Sequence, residues 1–209
     1  MARFVASDIH FSHRNILQYC PHRVHESFTD DIKSADDLEI DFLIELMNEK
    51  IISNWNGKVE PDDDVFILGD VAMGKIALAP ALIRRLNGRK YLIKGNHDVS
   101  LTKLITKDNS LTDLFVWIKD YHEMSHALPG INQKKNLICM SHFPFLHFNG
   151  QNQGTLHLHG HLHSAPENRF RLGKRMMDVG IDGNNLHPYL LDDVVRQCLV
   201  FPFGNSHHE

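Results

Sequence analysis

The sequence predicts an α/β protein, on three observations. Apolar runs of four or five residues recur along its 209 residues. Stretches with helical spacing lie between several of them, and most runs break off at aspartate, asparagine or histidine. Such alternation implies a largely parallel core sheet, whose strand carboxyl ends share one edge. Ligand sites on open α/β sheets lie along that edge, so function is expected where the runs end.

Taken in order, Arg3-Phe4-Val5-Ala6-Ser7 reads as the first strand, with Asp8-Ile9-His10 at its end. In extended geometry residues two apart point the same way, so Asp8 and His10 are expected to reach a common point. Residues 11–23 show no period and read as a loop carrying His13, Arg14, Asn15, Tyr19, His22 and Arg23. Ser34-Ala35-Asp36-Asp37 has the form of a capping box. Leu38, Phe42 and Leu46, with Leu43, Met47, Ile51 and Trp55, then follow at helical spacing to a stop near Gly57. The acidic outer face of this helix reads as solvated. Val65-Phe66-Ile67-Leu68 is a strand closed by Gly69-Asp70, and residues 80–86 predict a helix with proline at its first position and Gly88 as its stop.

Lys90-Tyr91-Leu92-Ile93 is a buried strand running into Lys94-Gly95-Asn96-His97-Asp98. The glycine is expected to let the backbone turn sharply, so that the next three side chains point above the sheet edge. An amide oxygen, an imidazole and a carboxylate there suit metal coordination, proton transfer and orientation of the imidazole. Residues 99–105 and 111–115 read as short helical pieces, and 116–118 and 124–128 as strands, the latter turning at Pro129-Gly130. Asn136-Leu137-Ile138-Cys139-Met140 is a strand ended by Ser141-His142. Thr155-Leu156-His157-Leu158-His159 alternates like another and leads into Gly160-His161-Leu162-His163. Residues 169–182 and 194–201 are expected to supply closing strands. No repeat, low-complexity tract or linker interrupts the chain, so residues 1–209 are read as one domain.

Composition narrows the function. Apolar residues at 42% and charged residues at 23% fit an ordinary globular protein. A net charge of −4 argues against general nucleic-acid binding while permitting a small nucleotide substrate. Cys20, Cys139 and Cys198 have no paired spacing, which fits a reducing compartment and offers neither a disulfide framework nor a zinc knuckle. With no signal pattern and no apolar stretch of spanning length, a cytoplasmic protein without a membrane partner is expected. Sixteen histidines are the unusual feature, and a tag would account only for His207-His208.

Asp8, His10, Asp70, Asn96, His97, His142, His161 and His163 all follow apolar runs. Carboxylates, imidazoles and an amide oxygen suit borderline-hard divalent ions such as Mn, Fe or Zn better than Ca or Mg. That many donors exceed the needs of one ion, so a two-metal site sharing one carboxylate is the economical reading. Asp70, alone at its strand end, is assigned the shared position.

The order Asp8-x-His10, Gly69-Asp70, Gly95-Asn96-His97-Asp98, His142 and Gly160-His161-x-His163 resembles the calcineurin-like metallophosphoesterase superfamily. Ser141-His142-Phe143-Pro144 and Leu158-His159-Gly160-His161-Leu162-His163-Ser164 resemble its small single-domain bacterial and phage members. The resemblance implies a four-layer α/β/β/α sandwich of two mixed sheets flanked by helices. It implies two divalent metal ions, with Mn preferred over Fe or Zn. Asp8, His10, Asp70 and His163 would hold one, and Asp70, Asn96, His142 and His161 the other. His97 would be the proton donor, held by Asp98.

The implied reaction is hydrolysis of a small phosphate ester, with water activated between the ions. A nucleotide phosphodiester is favoured because an uncapped site leaves room for a second substituent; a phosphomonoester of a small metabolite or nucleotide is the alternative. Asp70 is followed by Val71-Ala72-Met73-Gly74, without the Asp-Arg or Asn-Arg that resembles protein Ser/Thr phosphatases, which demotes a phosphoprotein substrate. Arg14, Asn15 and His147, just beyond ligand positions, are candidates for gripping phosphate oxygens or a leaving group. His157 and His159 read as strand-face residues or as residues behind the ligands that orient them by hydrogen bonds. Two rival readings are a non-catalytic scaffold of the same fold and a histidine-rich metal-storage or sensor protein. The unbroken ligand set argues against the first, and the second has no need of Gly95 or Asp98.

Overall fold

The computed structural model describes residues 1–24, 32, 35–128, 136–170 and 175–200. Strands β1 (Arg3–Ala6), β2 (Asp64–Ile67), β3 (Arg89–Ile93) and β4 (Ile118–Lys119) are followed by β5 (His122–His126), β6 (Asn136–Met140), β7 (Leu156–His159), β8 (Met176–Asp178) and β9 (Tyr189–Leu190). They form two sheets, ordered β4-β3-β2-β1-β9 and β5-β6-β7-β8. In the first, β9 alone is antiparallel to its neighbour. In the second, β5 is antiparallel and the rest parallel. Both sheets are mixed.

Side-chain alternation decides what lies between them. Ile138 and Met140 of β6, Leu156 and Leu158 of β7 and Met177 of β8 meet Val5, Phe66 and Ile93 of the first sheet in one buried layer. The other face of the first sheet (Phe4, Ala6, Val65, Ile67, Leu92) packs on helices α2 (Asp37–Asn56), α3 (Ala79–Arg84) and α4 (Val99–Lys107). Burial on both faces is why β1 and β2 read as continuous apolar runs rather than alternating ones. The outward side chain His157 is covered by the rings of Phe145 and Phe148. The result is a layered α/β sandwich, two mixed sheets flanked by helices. No helix among the described residues is long and apolar enough to cross a membrane.

Several local expectations need correction. The capping box lies at Asp36 and Glu39: the Asp36 carboxylate accepts from the Leu38 and Glu39 N–H groups, and Glu39 accepts from the Asp36 N–H. Ser34 lies outside the described residues. In α2 the buried stripe is Ile40, Leu43, Met47, Ile51 and Trp55, whereas Leu38, Phe42 and Leu46 face outward. One residue step turns a helix by about 100°, so only one of the two apolar rows can face the sheet. Residues 11–23 contain a short helix, α1 (Ile16–Tyr19), and a 3₁₀ turn at Pro21–Arg23. Asn109–Leu111 is a 3₁₀ turn, with no helix over 111–115.

The largest departure from expectation lies at residues 194–200. Residues 194–200 belong to helix α5 (Leu191–Val200), not to a strand. Its buried residues Leu191, Val194, Val195 and Cys198 keep the spacing of one helical face. Phe201, His25, Pro129-Gly130, residues 171–174 and His207-His208 lie outside the described residues.

Candidate metal centre

Beyond the strand ends the chain stays stitched together. The Asp8 N–H donates to the Gly69 carbonyl (3.0 Å), the His10 N–H to Asp70 (2.9 Å) and the Ile181 N–H to Ser7 (3.0 Å). The Gly160 N–H donates to the His142 carbonyl (2.9 Å) and the Val179 N–H to His159 (2.7 Å). Asp8, His10, Asp70, His161 and His163 all take left-handed backbone conformations, with φ of 58°, 53°, 56°, 73° and 48°. Such conformations cost about 1–3 kcal/mol each in non-glycine residues and gather at functional sites. Asp8 and His10 do converge, but because the backbone curls at both, not because it is extended.

Gly95 is also needed for a reason other than a turn. Its φ is not left-handed, and a Cβ there would strike the Asp70 carboxylate. A Cβ on Gly160 would strike Ser7 Oγ and Asp8 Oδ2.

Two donor sets share one oxygen. On one side Asp8 Oδ1 lies 3.8 Å from His10 Nε2 and 3.7 Å from His163 Nε2. On the other, Asn96 Oδ1 is 2.9 Å from His142 Nε2, and the His161 ring stands 5.1 Å from that of His142. Between them, Asp70 Oδ2 is 3.7 Å from His10 Nε2 and 3.4 Å from His142 Nε2. Asp8-His10-His163 and Asp70-His142-His161 each bring three donor atoms close enough to surround a single ion. Ligand bonds of about 2.0–2.2 Å place neighbouring donors roughly 3.0–3.6 Å apart, close to the spacings found.

Atoms around the cluster aim the donors inward. The His142 Nδ1–H donates to the Leu68 carbonyl (2.8 Å) and the His163 Nδ1–H to Asp182 Oδ2 (2.7 Å), leaving each Nε2 lone pair for the centre. Asp70 Oδ1 accepts from the His97 N–H (2.9 Å) and Asp8 Oδ2 from the His161 N–H (2.9 Å). Asp8 Oδ1 and both His10 ring nitrogens are buried without a hydrogen-bond partner among the described residues. An orphaned buried acceptor is costly, and a divalent cation is the group that would satisfy Asp8 Oδ1 and the lone pair of His10 Nε2, the ring nitrogen that faces Asp8 and Asp70. The donor set fits the ions expected from the sequence.

While no ion is bound, the electrostatics keep His10 neutral but favour a proton on His163, which an ion at its Nε2 would displace. Burial, with Asp178 adding to it, pushes the Asp8 carboxyl up to about 6 against the opposing pull of His163. Burial, then Arg23 and the neighbouring imidazoles, drive the His10 pKa far down, so that ring is neutral and available as a ligand. Burial disfavours the His163 cation, but the Asp182 hydrogen bond, Cys20 and the charge of Asp8 outweigh it and push that ring up to about 10. Burial also lowers His161, helped by His142.

His97 stands partly exposed, its Nε2 3.9 Å from Asp70 Oδ2. Asp98 does not hold it, contrary to expectation. The buried Asp98 carboxylate instead accepts from the N–H groups of Asp70 (2.8 Å), Val71 (2.9 Å) and Gly95 (2.8 Å), and these bonds occupy both oxygens. Arg14 is exposed and paired with Asp37 at the start of α2. Asn15 and His147 are exposed, and no hydrogen bond among the described residues links either to the cluster. His157, on a strand face, accepts from the Phe145 N–H (3.0 Å) and so braces a loop. The His159 Nδ1–H donates to the Gly160 carbonyl (2.9 Å), next to the ligand segment.

Sequence reasoning missed the layer behind the ligands. Arg23, fully buried, donates to both Asp182 oxygens (2.8 and 2.6 Å) and to the carbonyls of Ile9 (2.8 Å) and Asp8 (2.7 Å). It therefore clamps the Asp8–His10 curl and the partner of His163 at once. His22 adds a bond to Asp182 (2.9 Å). Burial resists the Asp182 charge, but these partners hold its pKa well below the carboxylate range. His13 also stands in the cluster, its ring 5.1 Å from His10 and 6.2 Å from His97, and burial pushes it down to about 4. The run of polar residues in 11–23 was the available signal, but nothing in it singles out these three.

No protein-family model matches the chain. Over 97 residues it is 35% identical to an uncharacterized protein of Methanocaldococcus jannaschii, a match spanning only 46% of that protein's length and 46% of this chain. It is 25% identical over 194 residues to the gene 66 protein of Mycobacterium phage L5, covering 84% of each. Among solved structures, a protein of unknown function from Aquifex aeolicus superposes with a TM-score of 0.62 at 21% identity, over 94% of this chain and 98% of that one, a likeness of fold. The gene 66 protein of Mycobacterium phage D29 is 31% identical over 160 residues, which are 69% of this chain and 79% of that protein. The chain belongs to the family of that phage D29 gene 66 protein.

Proposed function

We propose that this protein is a binuclear metal-dependent phosphoesterase acting on a small phosphate ester of nucleotide type. One observation carries the reading: Asp70 Oδ2 lies 3.7 Å from His10 Nε2 and 3.4 Å from His142 Nε2, one carboxylate oxygen serving two donor sets. Asp8, His10 and His163 complete one set, and Asn96, His142 and His161 the other. When bound there, divalent ions supply an activated water and positive charge for the phosphate oxygens. Imidazole, carboxylate and amide donors together suit Mn, Fe or Zn, and Mn is the ion proposed.

The chain's own residues do the rest. Asp182 and the Leu68 carbonyl keep the Nδ1 protons of His163 and His142, which sets the tautomer of both rings. Arg23 holds the Asp8 and Ile9 carbonyls and so keeps the first ligand segment curled. His97, partly exposed with its Nε2 3.9 Å from Asp70 Oδ2, would give a proton from Nε2 to the departing ester oxygen.

The test is hydrolysis of bis-p-nitrophenyl phosphate after EDTA treatment and Mn restoration, with metal content measured in parallel. The wild type is expected to hold two ions and regain activity with Mn. Asp70→Asn should lose bound metal and at least about 10²-fold in rate, the scale of removing one group that stabilises transition-state charge. An Asp70→Asn protein that keeps both ions and its full rate ends this proposal. So does a wild type that carries both ions and leaves every phosphate ester intact.

A further inference from the structure

The rim of the metal centre carries an aromatic ring that the chemistry above does not use. Phe143 directly follows His142 and is 45% exposed. Its ring makes T-shaped contacts with the imidazoles of His142 and His161, at centroid distances of 4.9 and 4.8 Å and interplanar angles of 75° and 65°. The backbone on both sides is anchored. Ser141 Oγ–H donates to the Phe143 carbonyl (2.7 Å), and the Phe145 ring lies parallel to that of His157 at 5.2 Å and 13°. Leu162, between His161 and His163, is 42% exposed. Exposed apolar surface thus sits on the two segments that supply His142 and His161, where a bound molecule would cover it.

We propose that Phe143 is a stacking platform for the nucleobase of a nucleotide ester whose phosphate lies at the metal centre. This rests on the phosphoesterase reading above. Every base presents a π-face, so such a ring selects nucleotides over alkyl esters without selecting among bases. The net charge of −4 disfavours a long polyanion, which points to a ligand of mononucleotide size. Fixing the ring against two ligand imidazoles ties the position of the base to that of the reacting phosphate.

Two substrates isolate the effect. Thymidine 5′-(p-nitrophenyl phosphate) and methyl p-nitrophenyl phosphate share a leaving group and differ in carrying a nucleoside or a methyl group. With Mn-loaded protein, Phe143→Ala is expected to raise KM for the nucleoside ester about tenfold while the methyl ester changes by less than about twofold. Phe143→Leu, which keeps apolar bulk without an aromatic face, should behave like Phe143→Ala, and Phe143→Trp should restore the wild-type KM, all at unchanged metal content. Equal changes on both esters, or none on either, overturn the platform but leave hydrolysis, and so the phosphoesterase reading, standing. Failure of the Mn-loaded wild type to cleave either ester overturns the phosphoesterase reading itself.

Discussion

His97 and His13 stand 6.2 Å apart at the open side of the cluster, and their surroundings separate their roles. Burial pushes His13 down to about 4, with His97 and Arg23 adding to it, so at neutral pH it carries no extra proton to give. His97, partly exposed with its Nε2 3.9 Å from Asp70 Oδ2, is the candidate acid. His97→Ala should therefore slow alkyl esters by about 10²–10⁴-fold and p-nitrophenyl esters hardly at all, because a good leaving group needs no proton. Steady-state rates on the two ester types decide this. Equal losses on both would remove His97 from the acid role.

At the level of elements, the loop after β3 is fastened to the loop after β2 by one carboxylate. Asp98 precedes α4 but makes no side-chain cap to that helix. Its oxygens take up the N–H groups of Asp70, Val71 and Gly95, and so hold Asp70 against the Asn96-His97 segment. Asp98→Ala leaves these donors without an acceptor, at about 1–3 kcal/mol for each buried group left unpaired. A loss of about 3 kcal/mol lowers the Tm by roughly 6–12 °C for a chain of this size. His97→Ala, removing only a partly exposed ring, should melt close to wild type. An Asp98→Ala protein melting with wild type would show that the brace carries no stability.

Across the whole molecule, the donors come from both sheets. Asp8, Asp70 and Asn96 follow β1, β2 and β3, and His142 and His161 follow β6 and β7. Ions bound there would join the sheets, so metal should stabilise the fold by about 2.7 kcal/mol at a hundred times Kd. Asp8 works in the opposite sense in metal-free protein. Its folded pKa, about 6, is raised from 3.8, so the folded state prefers the protonated carboxyl. Stability is then lost as pH rises from near 3.8 to about 6 and stays lost above that. In EDTA at pH 8, Asp8→Asn is expected to melt above wild type, with the gap closing towards pH 4, and to gain less from added Mn. Thermal melts at both pH values check this, and a lower Tm for Asp8→Asn in EDTA at pH 8 would refute it.

The sequence by itself determined the runs β1, β2, β3, β6 and β7, the long helix α2 and the order of polar residues at the strand ends. Those signals are local: an apolar run stops, and a donor-bearing side chain follows. What only the tertiary structure decided is which atoms meet. Asp98 turned from His97 to three backbone donors, α5 replaced an expected strand, and one row of α2 was buried while its neighbour was not. Arg23 and Asp182 are 159 residues apart, yet their pairing holds both His163 and the Asp8–His10 curl in place. No spacing rule reaches that far, because such a contact forms only when two sheets pack and bring their edges together.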